Sequence, residues 1–220
     1  MHSKELVFFG RIAASFTHEL KNVLAIVKET SGLMEDILSI TREETFPHKE
    51  RFSRAVATML AQVGRGVELA TRMNRFAHAP DHAVASVELN ETVVQVTLLA
   101  ERLARIKGVS IQAVTEPEAV NLVSSPVGIQ LTLFKAMECC WTCMESGSTL
   151  EVHVLTGPPA EVSFRCAGGL EGAEALVNRL GESAHWRELE EAARDIRATI
   201  RRDGADFLFT VCFPGALDAG

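Results

Sequence analysis

The sequence predicts an α+β protein: an N-terminal antiparallel helical hairpin forming a dimeric four-helix bundle, followed by an α/β sandwich. Three observations carry this. Two long stretches with apolar residues at every third or fourth position fill the first 79 residues, with one short break between them. From residue 84 onward, short alternating runs bounded by glycine and proline are interspersed with further helical patterns. The 220 residues are 47% hydrophobic, enough for a real core. The expected domains are 1–79 for the hairpin and 84–220 for the α/β part.

The first stripe runs through Leu6, Phe9, Ala13, Phe16, Leu20, Val23, Val27, Met34 and Leu38. Between Lys4 and Thr41 there is no proline, and Gly32 is the only glycine after Gly10. A helix of about 55 Å follows, at roughly 1.5 Å per residue. It breaks at Thr41–His48, where Pro47 suits the first turn of a second helix. That helix carries Phe52, Val56, Met59, Val63, Gly66, Ala70, Met73 and Ala77, and it ends before Pro80. Two helices this long cannot bury both stripes alone, so two hairpins are expected to pair as a homodimer.

Ala79-Pro80-Asp81-His82 reads as a linker and Ser86–Leu89 as a short strand. Asn90 is expected to cap a helix reaching Lys107, with Gly108 at its end. A strand at Val109–Val114, a loop around Glu116-Pro117-Glu118 and a helix over Pro126–Met144 come next. Strands Leu150–Leu155 and Glu161–Cys166 flank the turn Gly157-Pro158-Pro159. Residues 170–180 and 185–202 read as helices, and Asp206–Phe213 as a closing strand of an antiparallel or mixed sheet.

The formal charge of −7 is uneven. Residues 1–79 hold 11 Lys and Arg against 9 Asp and Glu, leaving 11 against 20 for the rest. An acidic second half argues against nucleic acid, whose binding needs clustered cations to release counterions. The mildly basic first half suits an acidic protein partner. No apolar run approaches a membrane span or a signal-peptide core, so no membrane partner is expected. Five cysteines form no extracellular framework, and the chain reads as cytoplasmic with reduced thiols. Helical periodicity begins within the first few residues, leaving no separate sensor segment; the signal is expected to arrive from a partner.

On the first helix His18 lies two residues from Phe16 and two from Leu20, about 200° around from each buried neighbour, and so faces solvent. Arg11, Ala14, Ser15, Lys21, Asn22 and Ala25 lie one or two turns away on the same face. The small alanines leave room for a docking surface. Arg11 and Lys21 can pair with phosphoryl oxygens, and Asn22 can hydrogen-bond to the group or to a water. Glu19 can accept the imidazole N–H, fixing the tautomer and sharpening the other nitrogen as a nucleophile.

The stretch Phe16-Thr17-His18-Glu19-Leu20-Lys21-Asn22-Val23-Leu24-Ala25 resembles the phosphoacceptor box of sensor histidine kinases, in which His-Glu-Leu-Lys/Arg-Asn/Thr lies on the first helix of a dimeric hairpin. Arg72-Met73-Asn74-Arg75-Phe76-Ala77 is similar to the usual end of the second helix. Val23 departs from the family, which usually has proline there. Residues 84–214 resemble the family's ATP-binding domain, with Ser86–Gln112 as its first strand, helix and second strand, and Asp206–Pro214 as its last strand.

The nucleotide motifs of that domain are largely missing. Where the resemblance places a magnesium-binding asparagine, counted from Gln130, Glu138 stands. A carboxylate can ligate magnesium, so this change alone is not fatal. In place of Asp-x-Gly-x-Gly, whose aspartate accepts the adenine amino proton, the chain has Cys166-Ala167-Gly168-Gly169-Leu170. A thiol is a poor acceptor. The glycine-rich lid is replaced by Leu180-Gly181-Glu182-Ser183-Ala184. ATP binding is therefore not expected, and no cofactor or metal is expected to be held by the chain itself. Cys139, Cys140 and Cys143 read as small core residues, since a helix presents at most two of them on one face and zinc wants four ligands. His153, Trp141 and Trp186 read as structural.

The resemblance implies a histidine phosphotransferase. A response-regulator receiver domain, bringing its own Mg²⁺, would dock on the first helix and pass its aspartyl phosphate to His18, which would hand it on. A histidine kinase or receiver phosphatase with a divergent pocket is the alternative, and a dimeric scaffold with an inert His18 the third.

Overall fold

The structure, a computed structural model, describes residues 3–40, 48–79, 83–168, 173–202 and 207–214. The chain falls into two compact units, Phe9–His78 and Ala79–Gly220, the latter grouped with Met1–Phe8. Helix α1 spans Ser3–Ile40 and helix α2 spans Lys49–Ala77. The break expected at Thr41–His48, Pro47 included, lies outside the described residues except for His48, which flanks the start of α2.

The two helices run antiparallel. Phe9 and Phe76 rings lie 4.4 Å apart, a Cβ added at Gly66 would stand 3.3 Å from Val23 Cγ1, and Ser31 Oγ lies 3.8 Å from Met59 Sδ. Val23, Ile37, Ala55, Leu69 and Phe76 are buried. Seven larger apolar side chains are not: Leu24 is 58% exposed, Leu38 55%, Leu60 67%, Val63 52% and Val67 62%, with Leu33 at 43% and Ile40 at 69% toward the end of α1. At about 100° per residue, Leu24, Leu38, Leu60, Val63 and Val67 lie some 80–140° around their helices from the seam, in the same sense on α1 and α2, while Leu33 and Ile40 are turned the other way. Because the helices are antiparallel, equal sense places both stripes on one side of the hairpin. His18 is displaced by a similar angle in the opposite sense and stands on the other side.

The second unit is a sheet covered on one face by helices. Its strands are β1 (Ala85–Glu88), β2 (Ser110–Val114), β3 (Asn121–Ser124), β4 (Thr149–Leu155), β5 (Ala160–Ala167), β6 (Thr199–Arg202) and β7 (Phe209–Phe213). Its helices are α3 (Leu89–Ile106), α4 (Pro126–Cys143), α5 (Ala173–Glu182) and α6 (Ala184–Asp195). The main sheet has the order β2-β4-β5-β7-β6, with β2 and β4 parallel and the other pairs antiparallel. Alternation in β4 buries Leu150, Val152 and Val154, which share a face with Val162, Phe164, Phe209 and Val211. On the opposite face Ser163 and Thr210 hydroxyls bond to each other at 2.7 Å. The expected α+β class with a mixed sheet is what the chain adopts.

Three local expectations need correction. The cap of α3 is Glu88, not Asn90: its carboxylate accepts from Asn90 N at 3.1 Å, Glu91 N at 2.6 Å and Val120 N at 3.0 Å. Asn90 sits inside the first turn, and its amide donates to Glu116 and Glu118 carbonyls. Strand β3, between the expected loop at Glu116-Pro117-Glu118 and the helix at Pro126, was not anticipated and pairs with β1 in a separate two-stranded sheet. Its four residues carry too little alternation to announce a strand whose partner lies over thirty positions upstream. Finally, the helix expected over 185–202 stops at Asp195. Ala193 O accepts both Ile196 N and Ala198 N, Arg197 turns to a φ of 59°, and Thr199–Arg202 becomes the edge strand β6. Residues 169–172 and Asp206, the outer parts of two expected elements, lie outside the described residues.

Candidate functional site: the His18 face and the remodelled pocket

His18 is exposed on α1, midway along the hairpin. Four residues on, Asn22 brings its side-chain amide nitrogen to 3.3 Å from His18 Nδ1. This spacing places the two side chains on one helix face, one turn apart. With the amide donating, Nδ1 accepts and the proton lies on Nε2. Rotating the amide by half a turn lets Nδ1–H donate to Asn22 Oδ1 and frees the Nε2 lone pair. In both cases Asn22 fixes the ring and leaves Nε2 directed away from its partner.

The other residues expected around His18 divide. Lys21 is exposed and Arg11 half-buried. Glu19 is half-buried; one residue on from His18, it lies about 100° around the helix, toward the seam. Ser15 is a correction: it is 4% exposed and unavailable to a partner. Three residues before His18, it is rotated about 60° toward the seam rather than held on the outer face. The Asn22–imidazole bond was legible as an i, i+4 pair. The seam position of Glu19 was equally legible once the register of the buried stripe was known.

In the α/β unit the position of the expected magnesium ligand is occupied by an internal ion pair. Glu138 is 3% exposed and accepts from Lys135 Nζ at 2.9 Å. Lys135 Nζ also donates to Glu188 of α6 at 2.5 Å. Carboxylate oxygens of Glu138 and Glu188 and a ring nitrogen of His185 lie within 4.8 Å of one another. Three such ligands could hold a divalent cation, but the ammonium of Lys135 already bonds to both carboxylates and supplies the positive charge. The donor set thus fits an internal ion pair better than a magnesium–nucleotide site. Sequence reasoning reached Glu138 but missed this network; Lys135 and Glu138 at i, i+3 were a visible signal, while Glu188 is brought in only by the packing of α6 on α4.

Cys166 ends β5 half-buried, in a strand where the adenine acceptor was sought. In the lid position α5 runs to Glu182 and Ser183 caps α6, its hydroxyl accepting from Trp186 N at 3.1 Å. A Cβ at Gly181 would stand 2.5 Å from the Arg202 guanidinium, and Arg202 in turn lies over the Trp186 ring at 4.7 Å. Two helices joined at a tight corner therefore replace a loop of free backbone N–H groups. Burial pushes the Cys139 thiol up to about 12 and raises that of Cys140 well above its ordinary value, so both are neutral, inert core groups. No helix among the described residues is long and apolar enough to cross a membrane.

No family model and no curated protein matches the chain. Solved structures do. The nucleotide-free catalytic domain of histidine kinase ThkA matches with a TM-score of 0.50 at 12% identity, over 62% of this chain and 100% of its own. Histidine kinase AdeS of Acinetobacter baumannii matches at 12% identity and a TM-score of 0.47, over 90% of this chain and 97% of its own. The cytoplasmic segment of histidine kinase QseC matches at 12% identity and 0.44, over 68% and 95%. The α/β unit has the fold of a histidine-kinase catalytic domain, and at these identities the likeness is one of fold alone.

Proposed function

We propose that this chain is a histidine phosphotransferase of a bacterial phosphorelay, taking a phosphoryl group on His18 from a response-regulator aspartate and passing it on. The observation that carries the reading is the exposed imidazole held at Nδ1 by Asn22, with its second nitrogen open to a partner. Its complement is the ion-paired Glu138 at the position where ATP would need a magnesium ligand, and a half-buried Cys166 where adenine would need an acceptor.

In the proposed step the Nε2 lone pair forms an N–P bond while the O–P bond of the aspartyl phosphate breaks. The aspartate leaves as carboxylate with the electron pair of that bond, and Nδ1–H is shared with Asn22 or taken by Glu19. The reverse step regenerates the acyl phosphate on a second receiver. Lys21 and Arg11 balance charge on the phosphoryl oxygens, and Mg²⁺ comes with the receiver. Positioning supplies most of the rate, since the covalent chemistry resides in the acyl phosphate. The apolar stripe of Leu24, Leu60, Val63 and Val67 on the side of the hairpin away from His18 supports a homodimer, with a second copy seated there. A histidine kinase with a divergent pocket is the second reading, because the α/β fold is equally that of a kinase.

The test is phosphoryl transfer to the full chain with Mg²⁺ present, from labelled ATP and, separately, from a phosphorylated receiver domain. Label from the receiver alone, abolished by His18→Ala, is the expected result. Label from ATP would make the protein a kinase, and label from neither across several receivers would leave a scaffold.

A further inference from the structure

The seam contacts fix which residues of α2 stand beside His18. Val23 meets Gly66 and Phe9 meets Phe76, so His18 stands level with about residue 70 of α2. Arg72 is two residues, or about 3 Å, beyond that level. At about 100° per residue, Arg72 is displaced from the seam by roughly the same angle and to the same side as His18. Helical side chains lean toward the N-terminus of their own helix. In an antiparallel pair this brings His18 and Arg72 toward each other. Glu68, one turn nearer the N-terminus of α2, bonds to the Arg72 guanidinium through a carboxylate oxygen and draws it further toward the level of His18.

We propose that Arg72, steered by Glu68 on the second helix, is a positioning residue that holds the phosphoryl group on His18 from across the seam. This rests on the phosphotransferase reading and adds to it a cation from α2, where the sequence pointed only to α1. A guanidinium offers paired N–H donors to phosphoryl oxygens, which a lone ammonium does not. Its pairing with Glu68 keeps the group in place while His18 is unmodified; on transfer, one edge of the guanidinium can stay with Glu68 while the other meets the new dianion.

Phosphoramidate, a small phosphoryl donor, tests the site without a docking partner: its P–N bond breaks, ammonia leaves, and a new P–N bond forms on the imidazole. The full chain is labelled with phosphoramidate and, in parallel, with a phosphorylated receiver. Arg72→Gln is expected to slow labelling by both donors about tenfold, with Arg72→Lys recovering part of the loss. Glu68→Gln is expected to slow it about threefold, with the receiver's affinity unchanged. Arg54→Gln, about 27 Å away along the same side of α2, is expected to have no effect. Wild-type rates in Arg72→Gln would overturn the inference and leave the His18 reading intact, as would a loss confined to the receiver, which would mark Arg72 as a docking residue. If Arg72→Gln lowers the melting temperature, Glu68→Gln decides, and a wild-type rate there overturns the inference. Absence of label on wild-type His18 from both donors overturns the phosphotransferase reading and the inference with it.

Discussion

Leu60, Val63 and Val67 of α2 are all more than half exposed, whereas Val152, Val154, Val162, Phe164, Phe209 and Val211 of the sheet are at most 1% exposed. The same contrast holds for the ionisable groups. His18 stands open on the hairpin with a single amide partner, while Lys135 and Glu138 have 14% and 4% of their side chains exposed and bond to each other. One region presents apolar groups and an imidazole outward; the other buries an ion pair where a magnesium ligand would stand. An open apolar face on one unit and a closed core in the other suit the proposed role, which works through partners.

The largest effect that would break this comparison is on the apolar face. Val63→Asp combined with Val67→Asp is expected to raise the dimer dissociation constant at least a hundredfold, since each buried valine contributes about 1.5 kcal/mol. Sedimentation equilibrium reads this directly, and a dimer indifferent to both changes would place its interface elsewhere. Next comes the sealed core. Lys135→Met leaves two carboxylates facing each other and is expected to destabilise the α/β unit by about 3 kcal/mol, the lower end for a broken buried pair because Glu188 is part-exposed. Urea unfolding followed through the tryptophans would measure it, and a loss below about 1 kcal/mol would mean that the network is solvated.

Smaller in effect is Gly128, where a Cβ would stand 2.2 Å from Ile196 Cγ2. Gly128→Ala is expected to cost about 1–3 kcal/mol by overpacking α4 against the end of α6, read from the same unfolding curves. The smallest near neutral pH, where it is not yet felt, is a pH effect. The Cys139 thiol rises from an ordinary value of 9.0 to about 12, and Cys140 also rises, because burial disfavours the thiolate. The folded state thus holds these protons more tightly than the unfolded chain. Their contribution to stability is complete below about pH 9 and is lost as pH climbs toward 12. Denaturation midpoints falling from pH 9 upward, with Cys139→Ala flattening the slope, would bear this out; equal slopes in wild type and variant would not.

The hairpin and most of the α/β order were legible because period, proline and glycine state them locally: α1, α2, α4, β4 and β5 fall where alternation and helical spacing place them. What was illegible depends on distant partners. Strand β3 exists through β1, and Glu88 became a cap because Val120 as well as Asn90 and Glu91 turned their N–H groups to it. The end of α6 hid in Arg197, a residue whose positive φ no composition signals. At the candidate site, His18 and Asn22 could be paired from spacing alone. Ser15 was misplaced because a face drawn around His18 ignored how far the seam wraps the helix, and Arg72 was missed because only the antiparallel register brings α2 alongside.

The central claim is that His18 itself carries the group. Peptide mass spectrometry of the full chain, after brief exposure to a phosphorylated receiver under neutral conditions, tests it most directly. One added phosphoryl mass on the peptide containing His18, lost on acid treatment and stable to base, is the predicted result. A phosphoryl mass on any other residue, or none on a chain that nonetheless drains phosphate from the receiver, would contradict it.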